Sequence, residues 1–330
     1  METKGIQLYL APMAGAGDRA FRETCALFGV DFFCTEMISA KAVHFGDKKT
    51  ALLADVGEAE RPMALQLFGS DPEILAEAAE KFKEINEAHE TLSDSQKRSA
   101  EKFSKEKRFD FIDLNFGCPV PKIVNNGEGS ALMRTPEKCY EITKAVCTAS
   151  YLPVSVKIRA GWDEKNLNAP YVAELCEKAG AKRVAVHGRT RVDFYRDGTL
   201  RPEVIREVKQ AVSIPVISNG DVTDGESALR LLEKTGCDGL MIGRGAVGSP
   251  WVFDEVRSAL LGKEKRAIDK KEIIRYHIDL AFRYKPEVAG REMRMHMAQY
   301  MKGFRGAASL RDRASHALTK EDYYDLLSLF

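Results

Sequence analysis

The chain lacks the features that would commit it to an extreme environment. Its basic and acidic side chains nearly cancel, 50 Lys+Arg against 49 Asp+Glu, which leaves a formal charge of +1 over 330 residues. Such a balance gives the molecule no strong overall field, so contact with a polyanion has to come from basic groups gathered on one surface. No window approaches the roughly 18 continuous apolar residues needed to cross a bilayer. The apolar stretch 6–16 is interrupted by Gln7 and Pro12 and has no basic run before it, which argues against a secretory leader. The 7 cysteines are odd in number and no pair stands as C-x-x-C, so a disulfide framework or a zinc ribbon is not expected and a reducing compartment fits better. The 6 histidines form no metal-ligand grouping. A cytoplasmic, monomeric protein without metal is expected.

What is present is a repeated grammar. Short apolar or β-branched runs at 8–13, 31–35, 63–68, 111–115, 154–158, 184–187, 216–219 and 239–242 each end at a polar residue or glycine. Each run is nearly continuous in hydrophobicity, as strands covered on both faces are. Helical stretches separate them, with starts marked by Asp71-Pro72-Glu73, Thr135-Pro136-Glu137 and Asp224-Gly225-Glu226. Eight alternating strand and helix units predict an α/β fold, a (β/α)₈ TIM barrel; an open doubly wound sheet is the alternative and leaves edges to protect. One connection, 84–108, is too long and mixes Lys97, Arg98, Lys102, Lys105, Lys107 and Arg108 with acids, reading as a solvated helical extension at the face opposite the strand ends.

From about Trp251 the strand signals stop, and 270–330 reads as helices. The expected division is a cofactor-binding barrel over 1–250 and a C-terminal helical domain over 251–330. Within 283–313 stand eight basic residues (Arg283, Lys285, Arg291, Arg294, Lys302, Arg305, Arg311 and Arg313) against Glu287, Glu292 and Asp312, with Tyr284, Tyr300 and Phe304 interleaved. A solvated helix face and a phosphate-binding surface are both consistent with that run.

Barrel enzymes build their sites at the C-terminal ends of the strands. There this chain places Pro12-Met13-Ala14, Glu36, Gln66, Asn115 to Pro119, Lys157-Ile158-Arg159, His187 to Arg191, Asn219-Gly220-Asp221 and Gly243-Arg244-Gly245. The last two clusters offer flexible backbone amides and a guanidinium where many barrels hold a phosphate. Lys157 ends the fifth strand inside the barrel, where it either pairs with a glutamate or supplies a fixed positive charge to a reduced flavin. Gln66 can hydrogen-bond the edge of a planar ring and Pro12-Met13-Ala14 can pack against it; His187 contacts ring or phosphate, or is a hydrogen-bonded core histidine. Cys118, in a Gly-Cys-Pro turn just past a strand, is placed to face the mouth. It can act as a protonated acid, as a thiolate nucleophile if a histidine is near, or as a buried structural thiol.

In chain order, Leu10-Ala11-Pro12-Met13-Ala14-Gly15, Asp18-Arg19-Ala20-Phe21-Arg22, Asn115-Phe116-Gly117-Cys118-Pro119, Lys157-Ile158-Arg159-Ala160-Gly161-Trp162, His187-Gly188-Arg189-Thr190, Asn219-Gly220-Asp221 and Ile242-Gly243-Arg244-Gly245 resemble the tRNA-dihydrouridine synthase family. The tail stretch Arg294-Met295-His296 through Tyr300-Met301-Lys302-Gly303 is similar to that family's tail, except that Met295 stands where a basic residue is common. The resemblance implies a bound FMN, reduced by NADPH, that reduces the C5=C6 bond of a tRNA uridine, hydride passing from flavin N5 to C6 and a proton from Cys118 to C5. It implies that Pro12, Met13, Ala14, Gln66, Lys157, His187, Asn219, Gly220, Asp221, Gly243 and Arg244 hold FMN. It also implies that Asn115, Lys122 and Arg189 lie near the uridine or its phosphate, with Arg294 among the tail's RNA contacts. A flavin barrel acting on a small molecule, such as a dihydroorotate dehydrogenase, and an RNA-binding protein that keeps FMN without reducing a base are the competing readings.

Overall fold

The computed structural model describes residues 5–47, 50, 53–91, 109–303 and 306–329. Its strands are β1 (Gln7–Leu10), β2 (Phe33–Cys34), β3 (Ile38–Ser39), β4 (Met63–Phe68), β5 (Phe111–Phe116), β6 (Val154–Arg159), β7 (Arg183–His187), β8 (Val216–Asn219) and β9 (Gly239–Ile242). All pair in parallel in the order β1-β9-β8-β7-β6-β5-β4-β2, and a parallel bridge between Tyr9 and Phe32 joins the two ends into a ring. The eight staves follow the eight apolar runs. The second stave is split because the Thr35 hydroxyl accepts the Gln66 N–H at 3.0 Å, and β3 then resumes beside Leu67 and Phe68.

Around the ring lie α1 (Arg19–Ala26), α2 (Ala40–His44), α3 (Pro72–Thr91), α4 (Pro121–Val124), α5 (Pro136–Ala149), α6 (Ala169–Ala179), α7 (Pro202–Ala211), α8 (Gly225–Thr235) and α9 (Val252–Leu260). Their starts follow local chemistry: Asp71 accepts from the Glu73 N–H at 2.9 Å, Asp224 caps Ser227 in a capping box, and Pro stands at the first turn of α5. Helix α3 carries on through 84–91, whereas 92–108, with its basic residues, lies outside the described residues. The main core fills the layer between strands and helices, and the side chains of α9 (Val252, Phe253, Val256, Leu260) belong to it. Inside the ring sits a smaller cluster of Tyr9, Ala11, Ala185, Ile217 and Met241. At the N-terminal end the Arg183 guanidinium lies over the rings of Phe111, Phe32 and Tyr9 at 4.4, 4.7 and 4.9 Å, filling the barrel from below.

A second core is formed by α10 (Lys270–Tyr284), α11 (Pro286–Tyr300), α12 (Ala307–His316) and α13 (Lys320–Ser328), and Ala20 of α1 is part of it. The Asp18-Arg19-Ala20-Phe21-Arg22 motif is therefore the seam between barrel and tail. Arg22, buried, bonds Glu60 at 2.8 Å and the carbonyls of Gly17 and Asp55 at 2.8 and 2.7 Å. Arg19 lies 4.1 Å over the Tyr284 ring, whose hydroxyl donates to Glu23 at 2.8 Å. Phe21 stacks on His296 with centroids 5.0 Å apart, and His296 meets His277 edge-on at 4.6 Å.

Burial holds His277 and His296 down to about 3 and about 4. The unfolded chain takes up protons on these rings as pH falls below about 6.5, while the folded chain resists until about 4 and then about 3, so acid removes stability across that window. Above it both states are neutral and the pair contributes no slope. Thermal unfolding is expected to drop in Tm between pH 6.5 and 4 more steeply in the wild type than in the His277→Gln, His296→Gln double variant. Equal slopes contradict this account of the seam.

Candidate active site

The inward positions of β4, β5 and β6 are polar, and the strand register stacks them side by side, Gln66 opposite Asp113 and Asp113 opposite Ser155. A buried carboxylate there needs donors. Asp113 accepts from the Ser155 hydroxyl at 2.5 Å and from Gln66 Nε2 at 2.7 Å. Gln66 Oε1 in turn accepts from Asn115 Nδ2 at 2.9 Å. The remaining end of the Asn115 amide, Oδ1, accepts the backbone N–H groups of Gly117 and Cys118 at 3.1 and 2.9 Å. A chain of polar side chains thus runs up the barrel and ends by folding the cysteine turn.

The turn is fixed from two other sides. Ser130 donates to the Cys118 carbonyl from its backbone N–H at 3.0 Å and its hydroxyl at 2.8 Å. Gly129, at φ +59°, passes so close that an added Cβ would stand 2.8 Å from that carbonyl oxygen. Arg159, almost fully buried, donates to the Gly117 carbonyl at 2.7 Å and to the carbonyls of Thr190 and Phe194 at 2.8 and 2.9 Å. Cys118 is left half-buried on the wall of a cavity of about 960 Å³. Burial pushes its thiol above the ordinary value, while the Val120 N–H and then Arg159 and Lys157 favour the anion and limit the rise. It is a protonated thiol at neutral pH with a ready means of holding the thiolate.

The wall beside the thiol, from β6 round to β9, is cationic. Burial, with the Arg159 charge beside it, lowers Lys157 to about 8 against the attraction of Asp113, and no carboxylate among the described residues forms an ion pair with it. His187 is held well below its usual value by burial and by Arg159, Lys157, Arg189 and Arg244, so its ring is neutral. Arg189 Nη1 lies 3.4 Å from His187 Nε2; a guanidinium can only donate, so Nε2 accepts and the proton sits on Nδ1. Arg189 is fully buried and bonds Asp221 at 2.7 Å, and Arg244 reaches the same carboxylate at 3.3 Å. Asp221 follows Gly220 in the left-handed region, at φ +50° after φ +143°. The turn at Gly243-Arg244-Gly245 meets it closely, since a Cβ on Gly245 would stand 2.1 Å from the Val222 carbonyl oxygen. Two backbone turns at adjacent strand ends therefore form one small cradle with Arg244, half-exposed, at its edge.

The cavity wall contains Cys118, all eleven residues expected to hold the cofactor (Pro12, Met13, Ala14, Gln66, Lys157, His187, Asn219, Gly220, Asp221, Gly243 and Arg244), and Asn115 and Arg189. Asn219 is pinned there by its amide donating to the Met241 carbonyl at 2.8 Å. The two further residues expected to contact RNA lie off that wall. Lys122 is exposed on α4 outside the cavity wall, and Arg294 turns away to donate to the Ala317 carbonyl at 3.0 Å. The tail instead contributes Met295, Gln299 and Lys302, one face of α11 and its end at helical spacing. Asp113 and Tyr195 also belong to this arrangement and were not singled out in the sequence, where the alternation of Asp113 and Asn115 with apolar neighbours was the available signal.

Fold and site together define a (β/α)₈-barrel enzyme whose cavity wall carries a guarded thiol, a row of cations and an anion cradle. The profile of the dihydrouridine synthase family (Dus) matches residues 9–90 and 94–328. The tRNA-dihydrouridine synthase B of Pseudomonas aeruginosa is 38% identical over 311 residues, covering 92% of this chain and 86% of that protein. The tRNA-dihydrouridine synthase B of Vibrio cholerae is 36% identical over 326 residues, covering 97% and 94%. The chain belongs to the dihydrouridine synthase family. Among solved structures, histamine dehydrogenase from Rhizobium sp. 4-9 superposes with a TM-score of 0.51 over 83% of this chain and 49% of that one, at 11% identity, a likeness of fold. Among the described residues no cluster of three or more His, Cys, Asp or Glu is arranged to hold a metal, and no helix is long and apolar enough to cross a membrane.

Asn115 is a positioning residue for the thiol, and its effect is measurable on the thiol alone. Alkylation of Cys118 by iodoacetamide, followed by mass spectrometry, is expected to be slow at pH 7 and to climb beyond the ordinary thiol range. Asn115→Ala, which frees the turn, is expected to raise the rate several-fold, whereas Asn115→Asp, which keeps both accepted bonds but sets an acceptor against Gln66 Oε1, is expected to fall between it and wild type. Equal rates in all three proteins contradict the positioning role.

Proposed function

We propose that this protein binds FMN in the barrel mouth, uses NADPH to reduce it, and converts a uridine of tRNA to 5,6-dihydrouridine with Cys118 as the acid. The observation that carries the reading is that the wall of one cavity brings together a protonated thiol, a buried lysine with no ion-pair partner among the described residues, and a backbone anion cradle.

The residues present suit the cofactor. Gly220, Asp221, Gly243 and Arg244 would take its phosphate on backbone amides and one guanidinium, with Asp221 holding that guanidinium in place. Pro12, Met13 and Ala14 would pack against the ring, and Gln66, whose Nε2 retains one hydrogen beyond its bond to Asp113, would meet the ring's polar edge. Lys157 would face the negative charge of the reduced ring, which in turn would restore its own charge above the value of about 8 set by burial. His187 has only Nδ1–H to offer, so it acts as a neutral donor. Bound and reduced, FMN would supply the hydride that adds to C6 of the uracil.

The chain's own part is to bind the base and deliver the proton. A uridine has to leave the RNA stack to reach a cavity of this kind, at a cost of a few kcal/mol. The Asn115 chain and Arg159 hold the thiol still, so that its S–H faces C5 while C6 accepts hydride. The C5=C6 π bond breaks, C5–H forms from the thiol proton, and the sulfur keeps the S–H electron pair. The resulting thiolate is held by the Val120 N–H and by Arg159 and Lys157 until water reprotonates it. Lys302 and Gln299 bring the tail to the rim, which favours a polymeric substrate over a small metabolite. Arg189, held by Asp221, His187 and the Arg196 carbonyl, keeps a further N–H on each terminal nitrogen for the uridine.

Cys118→Ala is expected to remain yellow and to oxidise NADPH, with dihydrouridine formation down by about 10²-fold or more, the scale of a lost general acid. Product assay by mass spectrometry of nuclease-digested tRNA reads this, and undiminished product from the variant rejects the acid role. In the wild type kcat is expected to fall only at alkaline pH, above the ordinary thiol value of 9.0, because the acid has to carry its proton.

A further inference from the structure

Between the end of β7 and the start of α7, the loop over 191–200 runs along the cavity rim. It is rigid. Asp193, buried, accepts from the Thr190 backbone N–H at 3.0 Å and its hydroxyl at 2.7 Å, and it also pairs with Arg196 and Arg201. Arg159 donates to the Phe194 carbonyl from inside the barrel. That frame holds Phe194 at φ +56°, one of two non-glycine residues in the left-handed region among the described residues; the other is Asp221, in the cradle. For a bulky residue this conformation carries strain, and strain persists where surrounding structure enforces it.

The strained residue does not pack into the core. Phe194 is 39% exposed, beside Val192 at 54% and Tyr195 at 42%. The Tyr195 ring meets Phe194 edge-on at 5.0 Å, stacks along His187 at 6.2 Å and lines the cavity. Cations surround the pair: Arg159 and Arg244 lie 5.3 and 5.4 Å over the Tyr195 ring, and the exposed Arg196 follows in the chain. An apolar ring held toward solvent, one residue from a cavity-lining tyrosine that carries Arg244 over its ring and with the exposed Arg196 two residues on, suits a partner with flat apolar faces and a negative backbone.

We propose that Phe194 is a stacking platform for a nucleobase that flanks the uridine entering the cavity. The inference rests on the tRNA reading above. When a base leaves the stack its neighbours lose a partner, and a fixed aromatic ring beside the entrance replaces it. The left-handed backbone turns the ring outward, and the Asp193 frame keeps it there before RNA arrives, so little order has to be created on binding.

Binding of an unmodified tRNA transcript to the FMN-loaded protein, measured across a salt series, tests this. Base–aromatic stacking is on the order of 1–3 kcal/mol per base, so Phe194→Ala is expected to weaken tRNA about 5- to 150-fold with an unchanged slope against log salt. Phe194→Trp is expected to restore affinity. Phe194→Gly separates the ring from the strain: glycine tolerates this backbone, so Tm is kept or rises while tRNA binding still falls. The proposal is overturned if Phe194→Ala and Phe194→Gly bind tRNA as the wild type does. It is also overturned if they change only self-association in sedimentation, which assigns the ring to a second copy of the chain. If wild-type protein makes no dihydrouridine at all, the failure lies with the functional reading instead.

Discussion

A buried carboxylate inside a barrel has to be satisfied, and Asp113 is the group on which the site's geometry depends. Its oxygens fix Ser155 on one side and Gln66 on the other, and Gln66 fixes Asn115, which folds the Cys118 turn. Each link is a short bond in a low-dielectric interior, where a missing partner is costly. The sulfur is therefore positioned by the barrel wall rather than by the flexibility of its own loop. Arg159 and Ser130 then clamp the same turn from the adjoining strand and loop.

The second constraint is the seam between barrel and tail. The tail is not an independent appendage, because α11 sends Met295, Gln299 and Lys302 into the wall of the same cavity that holds Cys118. Its position is set by Phe21 against the two buried histidines, by Arg19 on Tyr284, and by the close approach of Gly248 to the Gln299 backbone. One pair of packed surfaces thus links the strand ends to the helical tail that closes one side of the cavity. The cation row on the cavity wall and the aromatic loop beyond Arg191 extend that surface outward.

Much of this was legible in the residues. Near-continuous hydrophobic runs located all eight staves, and polar or glycine residues at their ends located the cavity wall. The split second stave was not legible, since it depends on one hydroxyl substituting for a ladder bond. Which tail residues reach the cavity was not legible either: helical phase is set by packing, and Met295 and Gln299 of α11, with Lys302 just past its end, are the ones on the cavity wall. The Asp18 to Arg22 motif was visible as a pattern, but its role as a seam requires knowing what it packs against. Arg159 was visible as a strand-end cation, but its part in bonding three carbonyls depends on loops that the sequence does not bring together.

In the proposed reaction a uridine of tRNA meets reduced flavin beside the Cys118 thiol. The most direct measurement starts with protein reduced by NADPH under anaerobic conditions and freed of excess nucleotide. Unmodified tRNA is then added while the flavin absorbance is followed. The account predicts that the oxidised flavin spectrum returns and that dihydrouridine appears in the RNA in equal amount. A flavin that stays bleached, with the RNA recovered unchanged, contradicts it.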